Sequence, residues 1–233
     1  MNRRFFNLTA RGYDFITRQE VWCDQIEKTL TFIDRPDSIG RIIDLGCGPG
    51  ISSFVLAERL PHASVVGIDV SDQMIHRARG HHKRRFRHLD NLEFQRCNIY
   101  KLPFEEESFD LAVGHSFLYL LPDRIGALTT IQKLLSHGGR LVLMEPNADG
   151  GLIEAVQSAP IDSVLTTPVS TTRFAISMVL WRLVSGRRGR LTPHQLEKLF
   201  TDAALDEVLV QPTLHGLGLH ATGCRRSNSN CHL

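Results

Sequence analysis

Nine consecutive residues concentrate the chemistry of this chain: Ile42-Ile43-Asp44-Leu45-Gly46-Cys47-Gly48-Pro49-Gly50. An apolar run ends in a carboxylate and three alternating glycines. Glycines here let the backbone turn sharply out of a strand and approach a ligand closely. A helix that follows offers its free N–H groups to that ligand. The position that carries the third glycine of a dinucleotide-binding loop is Ile51. Pro49 also stiffens the loop. The segment therefore suits a nucleoside ligand without a pyrophosphate. Asp69 follows Gly50 by nineteen residues. At the end of a second strand, its carboxylate is placed to accept both hydroxyls of a ribose. Asn98, in Cys97-Asn98-Ile99, offers an amide that can read an adenine edge.

These residues need a scaffold that brings three strand ends to one crevice. The apolar positions Val21, Trp22, Ile26, Leu30 and Ile33 predict a helix over Glu20 to Asp34, ended by Pro36 and Gly40. Residues 41–45 read as a strand and 51–60 as a helix. Residues 64–69 read as a second strand. Ser71 is a helix cap for a segment running to Arg85. Residues 92–95, 109–115 and 140–145 read as strands three to five, with helices over 122–135 and 192–203. Alternation at this interval means βαβ units and a mostly parallel sheet covered on both faces. Residues 208–212 and 218–224 lie too close for a helical crossover, with Gly216 and Gly218 between them. They should form an antiparallel pair. The stretch from Ala148 to Arg190 breaks the alternation and is too long for an ordinary loop. A helix over Ser170 to Ser185 makes it a cap over the carboxyl ends of the strands.

Composition narrows the class. Hydrophobic residues make up 42% of 233, enough for a buried core. Lys and Arg number 27 against 25 Asp and Glu, a net charge of +2. That argues against a surface built throughout for nucleic acid. The basic run HRARGHHKRRFRH (76–88) reads as a solvated helix end. No run of 18 apolar residues exists, and the start MNRRFFNLTARGYD lacks the apolar stretch of a secretory signal. The five cysteines, Cys23, Cys47, Cys97, Cys224 and Cys231, form no CxxC pair. Neither a disulfide framework nor a metal site is expected, and the cytoplasm is the expected location. Cys224 and Cys231 read as free surface thiols. Arg182, Arg187, Arg188 and Arg190, beside the apolar 174–184 stretch, leave a peripheral membrane contact through the cap open.

The order DLGCGPG, VVGIDVS, CNIYKLPFEEESFDLAV and LLSHGGRLVLMEPN resembles the class I S-adenosylmethionine-dependent methyltransferases. Within them it is similar to the small-molecule branch of ubiquinone and menaquinone biosynthesis, whose leading Tyr-Asp segment FFNLTARGYD resembles. The resemblance covers about residues 5–147. It implies that S-adenosylmethionine is the cofactor. Asp44, Gly46, Cys47, Gly48 and Gly50 would surround its methionine part, and Asp69 would hold the ribose. Val70, Met74, Asn98 and Ile99 would lie against adenine, and His115 with Ser116 would close the sulfonium side. The family usually has Asp where this chain has Asn98; both supply an oxygen acceptor. The Asn-Pro-Pro-Tyr type of motif used on flipped nucleobases is absent, and GHSFLYLLP stands there instead.

A methyl group on a sulfonium is already activated, so the protein chiefly aligns a nucleophile and excludes water. A base is needed only for an acceptor that is not ionised. His115, Tyr13 and Tyr119 are the candidates by position, followed by His215 and His220 on the last hairpin. The expected fold is a Rossmann-like, seven-stranded, mostly parallel α/β sheet with an antiparallel C-terminal hairpin and a helical cap insertion. Residues 1–40 would be an N-terminal helical segment, 41–147 the cofactor-binding core and 148–190 the cap. Residues 191–225 would complete the core, and 226–233 form a tail. The expected function is methylation of an O, C or N atom of a small apolar or aromatic molecule, with no nucleic-acid partner. The alternatives are an inactive methyltransferase-fold scaffold and a nicotinamide-dependent oxidoreductase. Ile51 and Leu102-Pro103-Phe104 disfavour the second.

Overall fold

In the computed structural model, residues 20–151, 178–179, 181–183, 185–186 and 189–226 are described. Seven strands form one sheet in the order β3-β2-β1-β4-β5-β7-β6. They are β1 (Arg41–Leu45), β2 (Ser64–Asp69), β3 (Leu92–Arg96), β4 (Phe109–His115), β5 (Leu135–Pro146), β6 (Leu205–Thr213) and β7 (Gly218–Arg225). The first five pair in parallel; β7 runs antiparallel to both β5 and β6. The helices are α1 (Glu20–Leu30), α2 (Ile51–Arg59), α3 (Asp72–Arg85), α4 (Arg124–Leu134) and α5 (Pro193–Asp202).

The period of two along each strand divides the core. Ile43 and Leu45 face the layer of α4 and α5 with Leu128, Ile131, Leu196 and Phe200. Ile42 faces the opposite layer with Ile26, Phe54, Leu56 and Ile75. Both faces are covered, which is why these parallel strands read as continuous apolar runs. Helix starts follow local chemistry. Ser71 caps α3 by accepting from the Met74 N–H, as expected, and Thr192 with Gln195 forms a capping box for α5. The expected N-terminal helix stops at Leu30, and a 3-10 turn at Pro36–Ser38 leads into β1.

Three details differ from the sequence expectations. Strand β5 begins at Leu135, not Arg140, because Leu135 pairs with Phe109 ahead of a register shift. Gly138, at φ +77°, bends the chain there. Cys224 is free but buried on β7, beside Arg140 and Glu207, rather than a surface thiol. Among the expected cap residues, those described between 178 and 186 are helical, and Arg182 is buried. Its guanidinium donates to the carbonyls of Asn147 and Gly150, which ties that helix to the end of β5. Arg187, Arg188 and Cys231 lie outside the described residues. No helix among the described residues is long and apolar enough to cross a membrane.

Phe117 packs over Gly46 and Gly114 at the ends of β1 and β4. A Cβ on Gly114 would stand 2.4 Å from the Phe117 ring and 2.9 Å from Leu143. Gly114→Ala should therefore lower stability by about 1–3 kcal/mol through overpacking. Urea unfolding reads this directly; an unchanged midpoint would mean that the Phe117 loop yields without strain.

Candidate functional site

The three glycines after β1 all have positive φ: +67° at Gly46, +55° at Gly48 and +95° at Gly50. Only glycine adopts these angles without strain. A side chain on Gly46 would meet Phe117 at 2.9 Å, so the backbone itself forms the wall. Asp44 is buried just before this turn. Ser52 and Ser53, in the first turn of α2, both donate to its Oδ2 at 2.5 Å. Its Oδ1 has no partner among the described residues. Burial pushes the Asp44 carboxyl up to about 6, against the pull of the two serine hydroxyls.

Asp69 ends β2 and is held by backbone. Its Oδ2 accepts from the Gly48 N–H at 3.1 Å, and its Oδ1 from the Ser71 N–H at 2.8 Å. Each oxygen keeps a further lone pair for a ligand. Burial raises its pKa. These groups open onto a cleft of about 310 Å³ whose walls include Gly46, Gly48, Asp69, Val70, Met74, Asn98, Ile99 and Ser116. Sequence reasoning missed the opposite wall, Tyr100, Phe117 and Leu120 to Pro122. Asn98 is exposed, and its Oδ1 accepts from the Tyr100 N–H at 3.2 Å. One lone pair is thus engaged in a turn and the other is available.

A second cavity of about 50 Å³ lies against the same loop. Gly46 and Ser116 line both. Its other walls are Trp22, Ile26, Cys47, Pro49, Ile51, Ser52, His115 and Trp181. The two tryptophans meet edge to face at 5.5 Å. Trp181 Nε1–H donates to Ser116 Oγ at 3.1 Å, and Ser116 itself sits at φ +56°. That left-handed turn redirects the chain straight after His115. A non-glycine residue held there is strained, and such strain gathers at functional sites.

His115 Nε2 lies 3.2 Å from Thr29 Oγ1, and the Thr29 hydroxyl donates to the Gln25 carbonyl. Burial, with His220 nearby, pushes His115 down to about 3. The ring is neutral at physiological pH. Its NMR signals should not titrate between about pH 5 and 8; a midpoint near 6.5 would mean that the ring is solvated. Because the unfolded histidine takes up a proton below about 6.5 and the folded one does not, His115 stabilises the fold above that pH. This contribution falls away as pH drops toward about 3.

Of the other candidate bases, Tyr119 is buried and gives its N–H to Glu145; it lines neither cavity. His215 is exposed in the β6–β7 turn, and His220 is buried against Phe32. Tyr13 lies outside the described residues. A residue not singled out from sequence organises the loop after β4: Glu145, fully buried at the end of β5. Its Oε1 accepts from the N–H groups of Phe117 and Leu118 at 3.0 and 2.9 Å, and its Oε2 from that of Tyr119 at 3.1 Å. Burial still dominates and pushes this carboxyl up to about 7. A lone acid closing the apolar run RLVLMEP was the available signal.

The sequence profile of the methyltransferase domain family matches residues 36–171, more than half of the chain. The chain belongs to the methyltransferase domain family. Among curated relatives of this methyltransferase-family chain, it is 34% identical over 120 residues to the aklanonic acid methyltransferase DauC of Streptomyces sp. (strain C5), covering 51% of this chain and 54% of that one. It is 37% identical over 105 residues to the demethylmenaquinone methyltransferase of Lactococcus lactis, covering 45% and 41%. The chain thus spans about half the length, or less, of the curated relatives it matches. A Haemonchus contortus phosphoethanolamine N-methyltransferase in complex with S-adenosyl-L-methionine superposes with a TM-score of 0.71 at 14% identity, over 97% of this chain and 60% of that one. This likeness concerns the fold: a seven-stranded, Rossmann-like methyltransferase sheet with an antiparallel end.

Proposed function

We propose that this methyltransferase-family chain binds S-adenosylmethionine in the cleft beside Gly46, Gly48 and Asp69. It transfers the methyl group to an O, C or N atom of a small apolar or aromatic molecule. The observation that carries this reading is the junction of the two cavities. The larger one has Asp69 as a ribose acceptor and Val70, Met74 and Ile99 as apolar walls for the base. The smaller one is lined mostly by apolar residues and by a neutral histidine, and Gly46 and Ser116 line both cavities.

The chain's polar atoms fit the cofactor. Asp69 has a free lone pair on each oxygen, and Asp44 Oδ1 is buried without a partner among the described residues. The bare backbone at Gly46 permits close approach. When bound, the cofactor supplies a methyl group activated by a sulfonium. Asp69 holds the ribose hydroxyls, and Met74, Val70 and Ile99 offer apolar contact to the base. Ser116 and His115 close the methyl-bearing side, while the two tryptophans exclude water from it. Support for a small-molecule acceptor comes from relatives named for aklanonic acid and menaquinone chemistry. We keep the cytoplasm as the expected location. Because Arg182 is turned inward, a membrane contact through the cap would rest on the remaining arginines and on exposed Val179 and Leu183.

Calorimetric titration with S-adenosylhomocysteine tests the reading, with NADH as control. Binding of the first at about micromolar Kd, roughly 8 kcal/mol, with none of the second is the expected result. Preference for NADH would replace the methyltransferase reading with the oxidoreductase one. Binding of neither would leave a scaffold.

A further inference from the structure

The smaller cavity lacks the room that an aromatic acceptor needs. Its volume is about 50 Å³, space for about one or two waters, whereas an apolar cavity that takes benzene measures about 150 Å³. A ring enters only if a wall residue leaves. This requirement rests on the methyltransferase reading above, which puts the acceptor beside Ser116 and His115. Two large walls meet there edge to face, Trp22 on α1 and Trp181 on the cap helix.

The two walls are anchored differently. On α1, Gln25, Ile26 and Thr29 are buried. Gln25 Oε1 accepts from the Thr213 hydroxyl, and Thr29 Oγ1 meets His115 Nε2. Moving α1 would expose part of the core and leave these polar groups unpaired. The cap helix is held by Trp181 Nε1–H on Ser116 Oγ and by the Arg182 guanidinium on the carbonyls of Asn147 and Gly150. Met178 and Trp181 add apolar contact with Met144, Leu214 and Leu217, while Val179 and Leu183 are exposed. Water can take over each of those hydrogen bonds. Arg182 has no ion pair among the described residues, and Arg190 beside it is a like charge. The cap helix is therefore the wall that yields.

We propose that Trp181 stands in the acceptor's own place, and that an aromatic acceptor binds by displacing this indole from Ser116. Arg182 is the pivot that keeps the cap helix on the end of β5 while Trp181 swings out. Trp181 sets specificity, and Arg182 is a positioning residue that acts through it. The indole also shows what chemistry fits. It is a flat ring whose edge N–H donates to Ser116 Oγ at 3.1 Å, with Trp22 packed against it at 5.5 Å. Once the indole leaves, Ser116 Oγ can accept again, on the wall that both cavities share. The molecule that replaces Trp181 is thus a planar aromatic of one or two rings with a hydrogen-bond donor on its edge. Until it arrives, Trp181 keeps water from the methyl-bearing side.

The chain has only two tryptophans, Trp22 and Trp181, and both line this cavity. Two indole N–H resonances of the ¹⁵N-labelled full chain, assigned with Trp22→Phe, therefore report on it. Each protein is first loaded with S-adenosylhomocysteine, with binding checked by calorimetry. It is then titrated with unlabelled indole and 1-methylindole, which share a shape and differ in the edge donor. In the wild type, indole should move the Trp181 resonance and speed its exchange with water. Trp181→Ala should bind indole about tenfold or more tighter than wild type, because a place that Trp181 fills nine-tenths of the time is open to a ligand for only the remainder. That variant should prefer indole to 1-methylindole, and adding Ser116→Ala should remove the preference. Arg182→Lys, which weakens the pivot, should tighten indole binding. A Trp181 signal that stays still up to the solubility limit of indole makes Trp181 a fixed wall and overturns the inference. Equal indole affinity in wild type and Trp181→Ala, or equal binding of the two probes, overturns it as well. If Trp181→Ala fails to fold, the wild-type signal and Arg182→Lys decide. Failure of the wild type to bind S-adenosylhomocysteine overturns the methyltransferase reading instead, so the two failures are distinguishable.

Discussion

Asp69→Ala is expected to weaken S-adenosylhomocysteine binding by about two orders of magnitude or more. Two ribose hydroxyls donating to one carboxylate make charge-assisted hydrogen bonds, each worth about 1.5–3 kcal/mol. Losing both removes about 3–6 kcal/mol, and each 1.4 kcal/mol is about tenfold in Kd. The loss has a second source. Asp69 Oδ2 also accepts the Gly48 N–H, so the alanine variant releases the middle of the glycine loop. Asp69→Asn separates the two. It can keep an acceptor for Gly48 but loses the charge, and should bind between wild type and Asp69→Ala. Calorimetry on all three proteins decides this, with thermal unfolding as the control for folding. Wild-type affinity in Asp69→Ala would remove Asp69 from the site. Because burial raises the Asp69 pKa, affinity should also begin to fall at a higher pH than an exposed aspartate would give.

Glu145→Ala is expected to be the most destabilising single truncation in the crevice. The carboxylate is fully buried and accepts three backbone N–H groups. Alanine leaves all three without partners, at about 1–3 kcal/mol each, so about 3–5 kcal/mol or more in total. For a chain of this size that lowers Tm by roughly 10 °C or more. The loop carrying Ser116 and Phe117 would lose its anchor, and cofactor affinity should fall with it. Glu145→Gln keeps the shape and one oxygen, and should retain most of the stability. The pair of glutamate and glutamine forms also gives a pH signature. Glu145 is raised from 4.5 to about 7 in the fold, so the native state holds a proton that the unfolded chain releases above 4.5. Its contribution is complete below pH 4.5 and is lost as pH rises through 7, by about 3 kcal/mol. Wild type should therefore lose stability relative to Glu145→Gln across that window. Taking the difference cancels the opposite slope from His115. Urea midpoints at pH 5 and 8 measure it. A difference independent of pH would mean that Glu145 is ionised throughout.

The frame was legible because its signals are local. Residues 64–69 and 109–115 are strands with the bounds read from the chain, since a strand covered on both faces must be apolar along its length. Ser71 announced the start of α3 because a cap acts over three residues. The glycine loop and Asp69 were readable because strand ends in an open parallel sheet share one edge. Where local rules compete with pairing, reading from the chain fell short. The chain reads as a helix through residue 135 and a strand only from Arg140, yet Leu135 already pairs with Phe109. Cys224 read as a surface thiol beside a polar tail, yet it is buried beside Arg140 and Glu207, which other strands bring to it.

The amino-acid order by itself determined the sheet, the glycine turn and the strand-end residues that line the larger cleft, because each depends on neighbours a few positions away. The tertiary structure alone decided what surrounds the smaller cavity and the loop after β4. Thr29 and His115 are 86 residues apart, Trp22 meets Trp181, and Glu145 reaches back to three N–H groups after β4. The lowered pKa of His115 and the elevated pKa of Glu145 come from burial and from these distant contacts. Burial belongs to the packed whole, because a side chain loses its water only when elements far apart in the sequence close over it.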